Sequence, residues 1–246
     1  MLIPKQINEG FSIYSLCEYA LTVSFGETIS DHASYRINRL RKLLEQQPFT
    51  GFRSAVPAYT SLSAFFDPIE VHQSTLIGHS CFEKVSNYIT DLESTPHKGT
   101  EQNNREITIP VCYEGDFGPD LNEVAAVHHM DVQEVIHLHT EAIYNVHMIG
   151  FVPGFAYLGG LPKALATPRK KSPRVQIPSG SIGIAGVQTG IYSLDTPGGW
   201  QIIGRTPLVM FDAQRKAPSL LSSGDRVTFE RISAEEFEFH AKRSKP

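Results

Sequence analysis

Residues 147–207 read HMIGFVPGFAYLGGLPKALATPRKKSPRVQIPSGSIGIAGVQTGIYSLDTPGGWQIIGRTP, and this stretch decides the fold. It holds 11 of the chain's 19 glycines and 7 of its 16 prolines, which leaves no room for a long helix. Such a composition supports short strands joined by forced turns, with polar groups delivered at the turns. Working outward, ITIPVCY (107–113) is a strand and AIYNVHMIGF (142–151) leads into the stretch as another. PLVMF (207–211) and GDRVTFERI (224–232) read as strands beyond it. Asp120 caps a short helix, LNEVAAVHH, and Asp131 with Glu134 makes a capping box ahead of VQEVIHLHT. Ser233, with Glu236 three residues on, starts a terminal helix over 233–240. Many short strands with two brief helices near the start predict a closed or nearly closed β-barrel from Ile107 onward.

The N-terminal part has a different pattern. SIYSLCEYALTVSF (12–25) is β-rich with a break at Glu18, and Leu21, Val23 and Phe25 alternate as in a half-buried strand. Ser30 is an N-cap for a helix over Asp31–Gln47, whose apolar positions Ala33, Ile37, Leu40 and Leu44 share one face. Arg36, Arg39, Arg41 and Lys42 read as its solvated face. Residues 53–67 are strand-like, with Pro57 marking an edge or bulge. Asp67-Pro68 is a turn, and a second helix runs from Ser80 to Leu92. Both helices on one face of a small sheet suggest a ferredoxin-like α/β sandwich. The polar stretch STPHKGTEQNNR (94–105) is the best linker, so the domains expected are 1–100 and 105–246, an α+β chain overall.

Composition excludes several classes. The net charge of −4 gives no general attraction to nucleic acid or anionic membrane, and six basic-tail residues at the C-terminus read as a solvated end. Cys17, Cys81 and Cys112 are odd in number and far apart, which argues against a disulfide framework or zinc knuckle and suits a reducing cytoplasm. Cys112 reads as a buried thiol. No signal peptide and no apolar run of about 20 residues is visible.

Candidate chemistry starts with the histidines. His128, His129, His137, His139 and His147 fall close together, but His137 and His139 point to different sides of a helix and no HExxH occurs, so no metal site is expected. His139 stands at a helix end beside Thr140 and Glu141; it suits either a structural role or a general base oriented by a carboxylate. GSIGIAGVQTG (180–190) is neither a phosphate loop nor a dinucleotide fingerprint. Its glycines suit tight strand packing, or amides approaching a ligand with Gln188 and Thr189 beside them. TPRKKSPR (167–174) is a loop with four cations, Arg169, Lys170, Lys171 and Arg174. Arginine suits bidentate capture of carboxylate or phosphate; a solvated loop is the plainer alternative. Arg205 is a lone cation in an apolar stretch and implies an internal ion pair or a ligand anion. Phe151, Phe155, Tyr157, Tyr192 and Trp200 supply aromatic surface, and GFVPGFAYLGG could line a small-molecule pocket. No nucleophile elbow is present.

Four segments carry a resemblance: VCYEGDFGPDL, HTEAIYNVHMIGFVPGFAYLGGLP, TPRKKSPRVQIPSGSIGIAGVQTGIY and TPGGWQIIGRTPL. They closely resemble the B-subunit family of bacterial ATP-dependent 5-oxoprolinase (PxpB), which includes the histidine-kinase inhibitor KipI and was formerly labelled allophanate hydrolase subunit 1. Glu114 departs from the glycine expected after Cys-Tyr. The resemblance implies a cyclophilin-like C-terminal barrel and partner subunits C and A. With them, the lactam of 5-oxo-L-proline would be opened to L-glutamate, coupled to hydrolysis of ATP to ADP. ATP is then a co-substrate of the assembled complex, since this chain has no recognisable nucleotide-binding element. On the same resemblance Arg169, Arg174 and Arg205 would serve anions, His139 with Glu141 the proton transfers, and Gln188 an amide. Phe155, Tyr157, Tyr192 and Trp200 would line the substrate pocket. The alternatives that the resemblance leaves are a KipI-like block of kinase autophosphorylation and a carboxyltransferase part of a urea carboxylase.

Overall fold

A computed structural model describes residues 5–8, 10–95 and 105–244. The chain forms two compact units, Met1–Asn103 and Asn104–Pro246. Most of the expected linker, residues 96–104, lies outside the described residues.

The first unit runs β1 (Lys5–Asn8), β2 (Phe11–Cys17), β3 (Ala20–Ser24), α1 (Asp31–Gln46), β4 (Phe52–Pro57), β5 (Ser61–Phe66), α2 (Pro68–Gln73) and α3 (Cys81–Ser94). The strands make one antiparallel sheet in the order β1-β2-β3-β5-β4. Leu21, Val23, Leu62 and Ala64 alternate onto one face and pack with Ile37, Leu40, Leu44, Val85 and Ile89 of the helices. Ser30 caps α1 and Ser80 caps α3, each accepting a backbone N–H three residues on. The Asp67-Pro68 turn is also the start of α2, because the Asp67 carboxylate accepts from the N–H groups of Ile69 and Glu70.

Two expectations are corrected here. A ferredoxin-like chain alternates two β-α-β halves. In this unit the β2–β3 hairpin, turning at Glu18, places β2 beside β3, the position a final strand would take, and β1 pairs outside it. Pro57 does fall on an edge strand. The cations of α1 are not simply solvated. Arg36 and Arg39 reach Glu93 of α3 at 2.8 and 3.3 Å, and the Arg36 guanidinium lies 4.5 Å from the Phe25 ring centroid. The Glu93 side chain is only 3% exposed, and those two guanidiniums take the place of the water it has lost.

The second unit contains β6 (Glu106–Cys112), α4 (Leu121–Val127), α5 (Val132–Glu141), β7 (Tyr144–Ile149), β8 (Ala156–Gly159), β9 (Arg174–Ile177), β10 (Ser181–Ala185), β11 (Gln188–Ile191), β12 (Thr196–Gly198), β13 (Gln201–Arg205), β14 (Arg226–Ile232) and α6 (Ala234–Ser244). Seven strands close into a barrel in the order β10-β11-β8-β7-β14-β6-β13, with β13 returning to β10. Ile109, Val111, Val146, Leu158, Ile182, Ile184, Ile203 and Phe229 are among the residues of the barrel's main core. Ser233 and Glu236 form the full capping box by bonding each other reciprocally, and Asp131 caps α5 by accepting from the Glu134 N–H. Residues 207–211 are not a strand. Pro207 offers no N–H, and the chain doubles back with Asp212 N–H on Pro218 O and Leu220 N–H on Met210 O. Cys112 is fully buried, and burial raises its thiol pKa, as a structural cysteine would show.

Strands β9 and β12 stay outside the barrel and, among the described residues, pair only with each other. A second apolar cluster, Phe155, Ile177, Ala185, Tyr192, Trp200 and Ile202, is distinct from the main core. Facing glycines make room for it. Gly183 and Gly190 are register partners, and a Cβ on them would lie 3.0 and 2.8 Å from atoms of Trp200.

Replacing Glu93 leaves two partly buried arginines without their carboxylate. Glu93→Ala is expected to cost about 2 kcal/mol, below the range for fully buried pairs because both guanidiniums keep some solvent. Urea unfolding of the chain measures it; a loss under about 0.5 kcal/mol would show that the triad behaves as a surface pair.

Candidate functional site

The aromatic cluster opens into a cleft of about 390 Å³. Trp200, Phe155 and Tyr192 are nearly closed off from solvent, and Tyr157 is half-buried. Phe155 is the hub: its ring centroid lies 4.6 Å from Tyr157, 4.9 Å from Tyr192 and 5.6 Å from Trp200, the last two edge-on. The far wall is the β9–β12 ribbon and the loop before it, which contribute Pro173, Thr196, Pro197, Gly198 and Gly199. Gly198 is required there, because a Cβ would come within 2.3 Å of the Tyr192 hydroxyl. Phe151, 61% exposed, stands at the mouth with φ of 69°, a backbone region that bulky side chains rarely occupy. Pro153-Gly154 holds the turn below it, with Ser193 donating its hydroxyl to Pro153 O.

Arg169 supplies the cleft's positive charge, its guanidinium 5.9 Å from the Trp200 ring. Burial raises the pKa of Tyr157, and Arg169 partly offsets it. Tyr192 is pushed up to about 12 by burial, against a backbone hydrogen bond with Trp200 and the Arg169 charge. Both phenols therefore stay protonated at neutral pH and act as hydrogen-bond groups. The cleft lining contains no carboxylate, imidazole or thiol among the described residues. Its aromatic faces, protonated phenols and single guanidinium suit a flat anionic molecule.

Five of the expected site residues meet here: Phe155, Tyr157, Arg169, Tyr192 and Trp200. Arg174 is committed elsewhere. Its guanidinium grips Asp120 with two bonds of 2.8 and 2.6 Å, and Lys170 reaches the same carboxylate at 2.9 Å. Asp120 also accepts the Ile202 N–H at 2.7 Å. Burial acts to raise the Asp120 pKa, but the bonds from Arg174, Ile202 and Lys170 outweigh it and hold the carboxyl below its ordinary value. Asp120 thus does not cap α4 with its side chain, as its place in the sequence suggests. Arg205 donates its Nε–H to Ser179 O and lies 6.0 Å from the Phe237 ring, neither of which is a lining residue. Gln188 opens β11 opposite Ala185, at the other end of the strand from Tyr192.

His139 is not a solvent-accessible base paired with Glu141. It is fully buried, stacked 4.6 Å from Phe229, with Nδ1 2.8 Å from the Tyr113 hydroxyl and Nε2 3.3 Å from Thr189 Oγ1. The Thr189 hydroxyl gives its proton to Gly183 O, so it must accept from His139, which fixes the Nε2–H tautomer. Tyr113 then donates to Nδ1. Glu141 faces solvent at the end of α5. Burial pushes the His139 pKa down to about 3. No sequence signal separates such a histidine from a catalytic one, since both stand at helix ends beside strands.

Residues 11–221 match the family model described as Carboxyltransferase domain, subdomain C and D. The chain belongs to this family, in the group of 5-oxoprolinase B subunits, a name carried by three of its relatives. It is 46% identical to the 5-oxoprolinase B subunit of Bacillus subtilis over 94% of this chain and 96% of that one. The crystal structure of the conserved uncharacterized protein PH0987 from Pyrococcus horikoshii is 40% identical, with a TM-score of 0.54 over 89% of this chain and 96% of that chain. The crystal structure of TTHA0988 matches with a TM-score of 0.74 and 34% identity over 87% of this chain. This chain spans 40% of TTHA0988.

The buried histidine has a pH signature. Unfolded, it titrates near 6.5; folded, it resists protonation down to about 3. The unfolded state therefore binds the extra proton. The contribution of neutral His139 is whole above pH 6.5 and is lost as pH falls from there toward 3, by up to about 1.4 kcal/mol per unit. His139→Gln is expected to flatten that part of the stability profile while lowering stability at about pH 7.5. Urea unfolding at about pH 7.5 and about pH 5 measures both, and equal slopes in the two proteins would contradict the assignment.

Proposed function

We propose that this chain is the B subunit of an ATP-dependent 5-oxoprolinase, acting with subunits A and C to open 5-oxo-L-proline to L-glutamate while ATP becomes ADP. The observation that carries this reading is the cleft itself: aromatic faces beside one cation that forms no ion pair among the described residues. 5-Oxo-L-proline is a flat five-membered lactam bearing one carboxylate. Its ring suits the Trp200 and Phe155 faces, its carboxylate suits Arg169, and protonated Tyr157 and Tyr192 suit its amide oxygen. The naming of the relatives as parts of an enzyme supports the assembly, and the closed seven-strand barrel supports the cyclophilin-like class.

The chemistry explains why such a chain would work in a complex. A lactam is a stable amide with a poor leaving group. Transfer of the γ-phosphoryl group of ATP to the lactam oxygen would release ADP and leave an activated carbon. One water adds there and the C–N bond breaks, the nitrogen taking a proton; a second water then cleaves the acyl phosphate that remains, giving L-glutamate and free phosphate. These steps need a nucleotide site and a base, neither of which lines the cleft, so they fall to the partner subunits. The role of this chain is to hold the lactam in one orientation. A cytoplasmic setting is part of the proposal, supported by three unbridged cysteines.

The test is 5-oxo-L-proline-dependent ADP release by the chain co-purified with its cognate A and C subunits. Release is expected. Arg169→Gln should assemble normally and raise KM for 5-oxo-L-proline about tenfold, the loss of one charge-assisted bond. A verified complex that releases no ADP would overturn the assignment, and kinase inhibition by the free chain would then favour the KipI-like role.

A further inference from the structure

The geometry assigns to Asp120 the task of positioning Arg169: we infer that this one buried carboxylate latches the outer wall of the cleft onto the barrel. The inference rests on the cleft being a ligand site. Asp120 is 2% exposed and lies outside the cleft lining. Its oxygens join three segments. The Ile202 N–H belongs to barrel strand β13. Lys170 belongs to the loop that carries Arg169 and Pro173, and Arg174 opens ribbon strand β9.

Each grip reaches the wall by a short path. Arg174 is the register partner of Gly198, a lining residue of β12. The Lys170 N–H bonds Gly199 O at 2.7 Å, and the Gln201 amide bonds Pro168 O at 3.2 Å, so Arg169 is flanked on both sides by anchored backbone. The ribbon has two strands, hydrogen-bonds to no barrel strand among the described residues, and touches the barrel side through Ile177 in the aromatic cluster. A two-stranded element of this kind is marginal alone and takes its position from what holds it. Without the Asp120 charge, Lys170 and Arg174 have no common anchor; Lys170 keeps a long 3.5 Å bond to Gln201 of β13, and Arg174 keeps none to the barrel among the described residues. Glu123, 54% exposed, still reaches Lys170 but does not bridge it to Arg174 or to β13. The wall then lifts and Arg169 leaves the Trp200 face.

Trp200 is the chain's single tryptophan, so its fluorescence reports on the wall directly. The experiment measures acrylamide quenching of Trp200 in the free full chain for the wild type, Asp120→Asn and Arg174→Met, with circular dichroism confirming the fold. Arg174→Met keeps the carboxylate satisfied by Lys170 and Ile202, and decides the matter if Asp120→Asn does not fold. The expected result is at least a twofold rise in the quenching constant in each folded variant. In the assembled complex, KM for 5-oxo-L-proline should rise at least fivefold with kcat within twofold. A merely structural carboxylate would lower the melting temperature and leave Trp200 as protected as in the wild type; folded variants with wild-type quenching would overturn the inference. Quenching requires no substrate, so it separates failure of this inference from failure of the 5-oxoprolinase reading.

Discussion

The Asp120 carboxylate is the constraint on which the site depends. A charge taken almost wholly out of water is tolerated only where donors surround it. Here two cationic side chains and one backbone N–H do so, and all three come from segments that build or border the cleft. The barrel would close without this arrangement, since its main core is apolar and its strands pair around the full circle. The ribbon and the loop before it would not keep their places. Fold and site therefore have separate sources of stability, the first in buried aliphatic surface and the second in a compact set of ionic bonds.

The cleft is suited to binding more than to chemistry. Its aromatic rings pack edge to face, its phenols remain protonated, and its charge is a guanidinium. Such a set suits a flat carboxylate, and the lining holds no carboxylate, imidazole or thiol among the described residues. That composition matches a chain whose relatives are named as parts of an enzyme. His139, the one residue whose sequence position suggested a base, serves the barrel instead. Its two ring nitrogens tie Tyr113 and Thr189 across the core, and its neutral form is what burial permits.

Much of this was legible in the residues. The glycine-proline density of 147–207 predicts short strands, and the facing pair Gly183 and Gly190 explains physically why the density is needed: Trp200 lies where their side chains would be. Helix caps at Ser30, Asp131 and Ser233 were readable because capping is local. Long-range pairing was not. Lys170 and Arg174 look like free cations in a loop, and only the fold brings Asp120, some fifty residues away in sequence, beneath them. The same limit applies to Glu93 with Arg36 and Arg39, and to the hairpin that sets the first sheet's order. The aromatic cleft residues could be proposed from composition and resemblance, whereas the ribbon wall of Gly198 and Gly199 could not.

The most direct measurement of the central claim is a crystal structure of the chain in its assembled complex, soaked with 5-oxo-L-proline to saturation. The account predicts ligand density in the cleft, with the carboxylate on the Arg169 guanidinium and the lactam ring against Trp200. An empty cleft with the ligand bound elsewhere would contradict it.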